Sequence, residues 1–171
     1  MKVVIFGLGS IGQRHAKILK RKKGCVLAAF RNQKGKKNSL GIQEMYSWKE
    51  VEQFRPDAAL VTNPTSLHIT TAIDCTWRGV PVFIEKPLGA DVRQLPELLN
   101  VVAQKHISTY VAYVFRFHPV IEALREAASR HAVLHMKVLC SSYLPLWRPG
   151  KNHLESYSAH KKLSGQYRWN N

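Results

Sequence analysis

Three glycines near the start of the chain have the spacing that a phosphate-holding turn requires. Gly7-Leu8-Gly9-Ser10-Ile11-Gly12 forms a G-x-G-x-x-G run directly after the apolar, β-branched segment Lys2 to Phe6. In that context Gly7 permits a tight turn, Gly9 lets the backbone approach a pyrophosphate, and Gly12 packs a following helix against a strand. The helix that starts at Ser10 or Ile11 then turns its N–H groups and the positive end of its dipole toward the anion. A second signal stands nineteen residues after Gly12, where Arg31 and Asn32 follow the apolar run Val26 to Phe30, with Lys34, Lys36 and Lys37 close behind. An acidic residue at such a position binds the 2′-hydroxyl of NAD, whereas an arginine accommodates the 2′-phosphate of NADP. A guanidinium grips a phosphate with two parallel hydrogen bonds, and no carboxylate is near in the chain, so NADP is expected, with NAD as the alternative. The competing reading is a solvated basic loop with nucleotide choice made elsewhere.

Two further clusters follow apolar runs. Asn63-Pro64-Thr65-Ser66-Leu67-His68 comes after Ala58 to Thr62, and its small polar groups suit a nicotinamide ribose or, equally, an ordinary helix cap. Glu85-Lys86-Pro87 comes after Val82 to Ile84. A lysine fixed there is able to hydrogen-bond a substrate hydroxyl and move its proton; an isolated lysine is more often surface charge.

The elements that must hold these residues alternate. Strands are expected at 2–6, 26–30, 58–62, 80–84 and 109–115, and helices at 11–19, 47–56, 66–77, 91–105 and 119–130, with Ser47 to Glu50 as a capping box and 31–41 as an exposed loop. Strand–helix alternation with short connections implies an α/β fold with a doubly wound parallel sheet, which binds ligands outside the carboxyl ends of its strands. Residues 133–143 read as a long strand without a partner, followed by an aromatic tail.

Length and charge narrow the class. The chain has 171 residues, enough for one domain and the start of another, and 26 Lys and Arg against 11 Asp and Glu give a net charge of +15. No acidic residue precedes Glu44, while nine basic residues lie between Lys17 and Lys37. An anionic partner is implied, but no nucleic-acid motif accompanies the charge, so nucleic acid is not expected. No apolar run reaches membrane-spanning length, and no membrane partner is expected. Cys25, Cys75 and Cys140 are unpaired in spacing, which disfavours a disulfide scaffold or zinc ribbon and suggests a reducing cytoplasm. His131, His135, His153 and His160 have no ligand spacing, so no metal is expected.

GLGSIGQRH at 7–15, NPTSLH at 63–68, EKPLG at 85–89 and FRFHP at 115–119 occur in an order and spacing that resembles the Gfo/Idh/MocA oxidoreductases. The resemblance covers about residues 1–150. It implies a Rossmann-type NAD(P)-binding domain over 1–120 and, over 121–171, the start of an incomplete α+β domain for substrate and oligomerisation. It also implies hydride transfer between nicotinamide and a hydroxyl-bearing carbon of a sugar, cyclitol or nucleotide sugar. On this likeness Lys86 is the catalytic lysine, His68 lies in the cofactor loop, and Arg116 and His118 border the substrate. Relatives carry an asparagine where Val114 stands, and an Asp and a His beyond a glycine-rich stretch that this chain does not reach. Loss of turnover is expected from that shortening, leaving a nucleotide-binding regulatory or assembly module as the alternative. A homo-oligomer through the strand and tail of 133–171 is the expected assembly.

Overall fold

The computed structural model describes residues 1–32, 38–139, 141, 143, 146 and 152. Lys34, Lys36, Lys37 and the aromatic tail of the sequence lie outside the described residues, apart from Tyr143.

Six parallel strands form one sheet in the order β3-β2-β1-β4-β5-β6. The innermost strand, β1 (Lys2–Phe6), is buried from Val3 onward. It pairs on one side with β2 (Val26–Phe30) and on the other with β4 (Ala58–Val61). Apolar residues on both faces of these strands leave no polar face for water, which is the pattern of a sheet covered on both sides. Val3, Ile5, Leu27 and Leu60 pack with Ala16 of α1 (Ser10–Leu19) on one face. Val4, Phe6, Ala59 and Val61 pack on the other with Val51 of α2 (Trp48–Phe54) and with Ile69, Ala72 and Ile73 of α3 (His68–Trp77). β5 (Val82–Ile84) and α4 (Leu95–Lys105) extend that second core through Leu98, and β6 (Thr109–Val111) closes the edge. The order of strands reverses between β1 and β4, which is where a crevice opens in such sheets.

Several expectations are corrected by local hydrogen bonding. The pattern of residues marks no strand between 31 and 57, yet β3 (Gln43–Met45) pairs with β2 from Ala28↔Gln43 to Phe30↔Met45. Three residues are too few to show a period. α4 begins at Leu95 rather than near Asp91, because Asp91 Oδ1 accepts the Arg93 amide at 3.0 Å and holds 91–93 in a turn. The strand expected over 109–115 ends at Val111; Tyr113 donates to Val111 O at 2.7 Å and a 3-10 turn runs over Val114–Phe117. Ser47 caps α2 as the capping box requires, but Glu50 returns its bond to the Tyr46 amide at 2.7 Å. After α5 (Pro119–Arg130), the described residues of 133–143 form no strand. They have no neighbour to pair with, and a strand without one leaves its N–H and C=O groups to water.

Among the described residues, Cys25 and Cys75 are free thiols, and no helix is long and apolar enough to cross a membrane.

Candidate dinucleotide site

The end of β1 enters the glycine run through Gly7, whose φ of +94° only a glycine adopts without strain. A methyl on Gly7 would lie 2.8 Å from Asn63 Cα, so this position is also one of close backbone approach between the loops after β1 and β4. Gly12 is tighter still: a Cβ there would meet Gly7 O at 2.1 Å and Thr62 Oγ1 at 2.7 Å. Gly9 differs from both, with nothing within 4 Å of where its Cβ would be. The three glycines thus divide as the spacing implies, two for packing and one for open space over the N-terminus of α1. Gly9 caps that helix without a side chain, and its first turn carries no acidic residue. The local field there favours an anion.

Two cavities flank this turn. One, about 410 Å³, is lined by Phe6, Gly7, Leu8, Phe30, Arg31, Asn32, Asn63 and Pro64. The other, about 370 Å³, is lined by Gly9, Ser10, Ile11, Thr62, His68, Glu85 and Lys86, and shares Gly7, Asn63 and Pro64 with the first. Residues from four separate stretches of sequence are brought to one crevice, at the carboxyl ends of β1, β2, β4 and β5. Thr65 is buried at the start of a 3-10 turn and lines neither cavity. Arg116 and His118 also line neither. His118 Nδ1 accepts the Val120 amide at the start of α5, and the Arg116 guanidinium sits 5.7 Å from the Phe117 ring centre.

Buried polar contacts hold the crevice in shape. The Thr62 hydroxyl, 6% exposed, reaches Gly7 O at 2.7 Å and Phe6 O at 3.0 Å, stapling the glycine turn to β4. His68, 2% exposed, places Nδ1 2.8 Å from Pro87 O and Nε2 2.9 Å from Asn63 O, so its ring joins the loop after β4 to the loop after β5. Asn63 donates to Thr71 Oγ1 at 2.9 Å, while its buried Oδ1 has no hydrogen-bond partner among the described residues. Beside Lys86, Glu85 accepts from His15 Nε2 at 2.8 Å and from the Lys86 amide at 3.2 Å. Burial raises the Glu85 carboxyl, but these bonds and the neighbouring charge outweigh it and leave it below its ordinary value.

Thr62, His15 and Glu44 are the contributors that the sequence reading does not mark. A threonine at a strand end carries no distinguishing signal, and His15 meets Glu85 only because α1 crosses the sheet beside β5. Arg31 has no carboxylate close by in the chain, but it has one close by in space, Glu44. β3 places it next to β2, and Arg31 Nη1 donates to Glu44 Oε1 at 2.8 Å.

The profile of an oxidoreductase family with an NAD-binding Rossmann fold, Gfo/Idh/MocA, matches residues 1–113. The chain belongs to the Gfo/Idh/MocA oxidoreductase family. Among its curated relatives, myo-inositol 2-dehydrogenase of Thermotoga maritima is 26% identical over an alignment of 140 residues that covers 78% of this chain and 42% of that protein. UDP-N-acetylglucosamine 3-dehydrogenase of Acidithiobacillus ferrooxidans is 32% identical over 71 residues, 42% of this chain and 23% of that one. The crystal structure of myo-inositol 2-dehydrogenase from Lactobacillus plantarum superposes with a TM-score of 0.65 at 27% identity, over 76% of this chain and 41% of its own. The chain therefore spans less than half the length of the Gfo/Idh/MocA relatives it matches.

Proposed function

We propose that the chain binds a nicotinamide dinucleotide along the crevice, NADP in preference to NAD, as the nucleotide-binding part of a sugar- or cyclitol-directed oxidoreductase. The observation that carries this is the pair of adjoining cavities that share Gly7, Asn63 and Pro64, the second of them lined by Gly9, the one glycine of the three with open space above it. A pyrophosphate fits that gap against the N-terminus of α1. The adenosine end then lies in the cavity with Arg31 and Asn32, and the nicotinamide end beside Glu85 and Lys86. The unpartnered Asn63 Oδ1, at the boundary of both, is an acceptor that a ligand's donor group would complete.

When bound, the nicotinamide exchanges a hydride with a carbon that bears a hydroxyl. The role of Lys86 is to hold that hydroxyl and carry the proton that leaves or joins it as the hydride moves. Glu85, tied to His15, fixes the start of the 85–87 turn and so the place of Lys86. Substrates of the sugar, cyclitol or nucleotide-sugar class are consistent with the inositol and UDP-sugar dehydrogenases among the relatives. Arg116 and His118 are read as bordering the substrate, and residues 121–171 as the beginning of a substrate domain.

Titration of the 171-residue chain with NADPH and NADH tests the reading. Tighter binding of NADPH, reduced in Arg31→Asp by tenfold or more, is the expected result. Binding of neither dinucleotide refutes it. Turnover with a panel of sugars and cyclitols separates the oxidoreductase from a non-catalytic module: binding without turnover for any of them supports the second.

A further inference from the structure

With Arg31 at the ribose 2′-position, the groups that surround it bear on how strongly it acts there. Its guanidinium is not presented to the cavity alone. Glu44, from the adjacent strand β3, accepts Arg31 Nη1 at 2.8 Å on Oε1. The same oxygen accepts the Asn38 amide at 3.0 Å and Asn38 Nδ2 at 2.7 Å, and the Tyr46 hydroxyl donates to Oε2. Asn38 in turn accepts the Leu40 and Ile42 amides on Oδ1 at 3.2 Å, so the whole 38–46 segment is organised around one carboxylate. The hydrogen bonds from Tyr46, Asn38 and Arg31 bring the Glu44 carboxyl down to about 2, despite an opposing contribution from burial. It is a permanent negative charge at neutral pH.

We propose that Glu44 is a specificity-determining residue for the dinucleotide, which acts by drawing the Arg31 guanidinium into an ion pair at the edge of the adenosine cavity. The proposal rests on the placement of Arg31 at the 2′-position. A 2′-phosphate carries close to two negative charges at neutral pH, as other phosphate monoesters do. To bind it, Arg31 must share its donors with Glu44, and the phosphate must tolerate a second anion a few ångströms beyond the guanidinium. The 2′-hydroxyl of NAD is neutral and meets neither cost. Glu44 therefore narrows the gap between the two dinucleotides without touching the nicotinamide end, and the bare rule that arginine after β2 means NADP overstates the preference. A charge removed at that range, screened by physiological salt, changes phosphate affinity by about tenfold.

The experiment uses two small probes that carry only the adenosine end, adenosine 2′,5′-bisphosphate and 5′-AMP, titrated calorimetrically against the full chain. The ratio of their affinities isolates the 2′-phosphate, because any damage to the 38–46 segment weakens both. Glu44→Gln is expected to raise the bisphosphate:AMP ratio about tenfold, which is about 1.4 kcal/mol. Glu44→Asp, which keeps the charge but withdraws it from Arg31 by one methylene, is expected to raise it by a smaller factor, and it decides the matter if Glu44→Gln does not fold. Arg31→Gln is expected to lower the ratio. If Arg31→Gln leaves the ratio unchanged, the placement of Arg31 at the 2′-position is wrong. If Arg31→Gln lowers it and the Glu44 variants leave it unchanged or lower it, that placement stands and the role assigned to Glu44 is overturned.

Discussion

Gly12→Ala and Gly9→Ala are matched substitutions in one turn, and the structure assigns them opposite consequences. At Gly12 the new methyl carbon would sit 2.1 Å from Gly7 O and 2.7 Å from Thr62 Oγ1. Both obstacles are anchored: Gly7 O is a backbone atom, and the Thr62 hydroxyl is bonded to it. Neither can swing away, so α1 itself must lift. Forcing a methyl into a closed site costs roughly 1–3 kcal/mol, and with backbone as the obstacle the upper figure applies. Against it stands the gain of replacing glycine by alanine within a helix, about 1 kcal/mol. The clash wins, leaving a net loss of about 2 kcal/mol. In a domain of this size that lowers the thermal midpoint by roughly 4–8 °C. Gly9 has no neighbour within 4 Å and a φ of −65°, so alanine there changes stability by no more than about 1 kcal/mol, the ordinary cost of a poorer cap. Its methyl occupies the space assigned to the pyrophosphate, and NADPH affinity should fall by at least tenfold. Urea unfolding followed by tryptophan fluorescence, with NADPH titration of each variant, reads both quantities. A Gly12→Ala protein as stable as the parent, or a Gly9→Ala protein that binds NADPH normally, would refute the division of labour among the glycines.

Three other outcomes follow from single contacts. Thr62→Val removes the hydroxyl bonded to Gly7 O and should cost about 1–3 kcal/mol in urea unfolding, with Thr62→Ser restoring most of it. His68→Leu leaves Pro87 O and Asn63 O without the ring that joins them, an expected loss of roughly 2–4 kcal/mol by the same measurement; an unchanged midpoint would show that the ring is not what couples the two loops. Glu44 ionises near pH 2 when folded and near its ordinary 4.5 when unfolded, so its share of stability is complete above about pH 4.5 and is lost as the pH falls toward 2. Acid titration of Glu44→Gln should therefore show a flatter decline of stability across that window than the parent.

What the sequence determined by itself was local. Spacing alone marked the glycine run, because a turn, an open approach and a packing contact must recur at fixed offsets when a strand feeds a helix. The β-branched runs and the capping box at Ser47 placed most strands and helices for the same reason: their signals lie within a few neighbouring residues. Pairings across the fold had no such signal. Glu44 lies thirteen residues from Arg31 and Glu85 seventy from His15. Each pair meets only in the tertiary fold, which sets β3 beside β2 and brings the His15 ring of α1 to 5.9 Å from that of Phe83 in β5. The starting point of α4 and the early end of β6 were settled by single hydrogen bonds, Asp91 to the Arg93 amide and Tyr113 to Val111 O, that compete with regular structure over one turn. The apolar run from Val133 read as a strand because alternation records only what a segment is suited to, whereas a strand exists only where a second backbone meets its hydrogen bonds, and among the described residues none does.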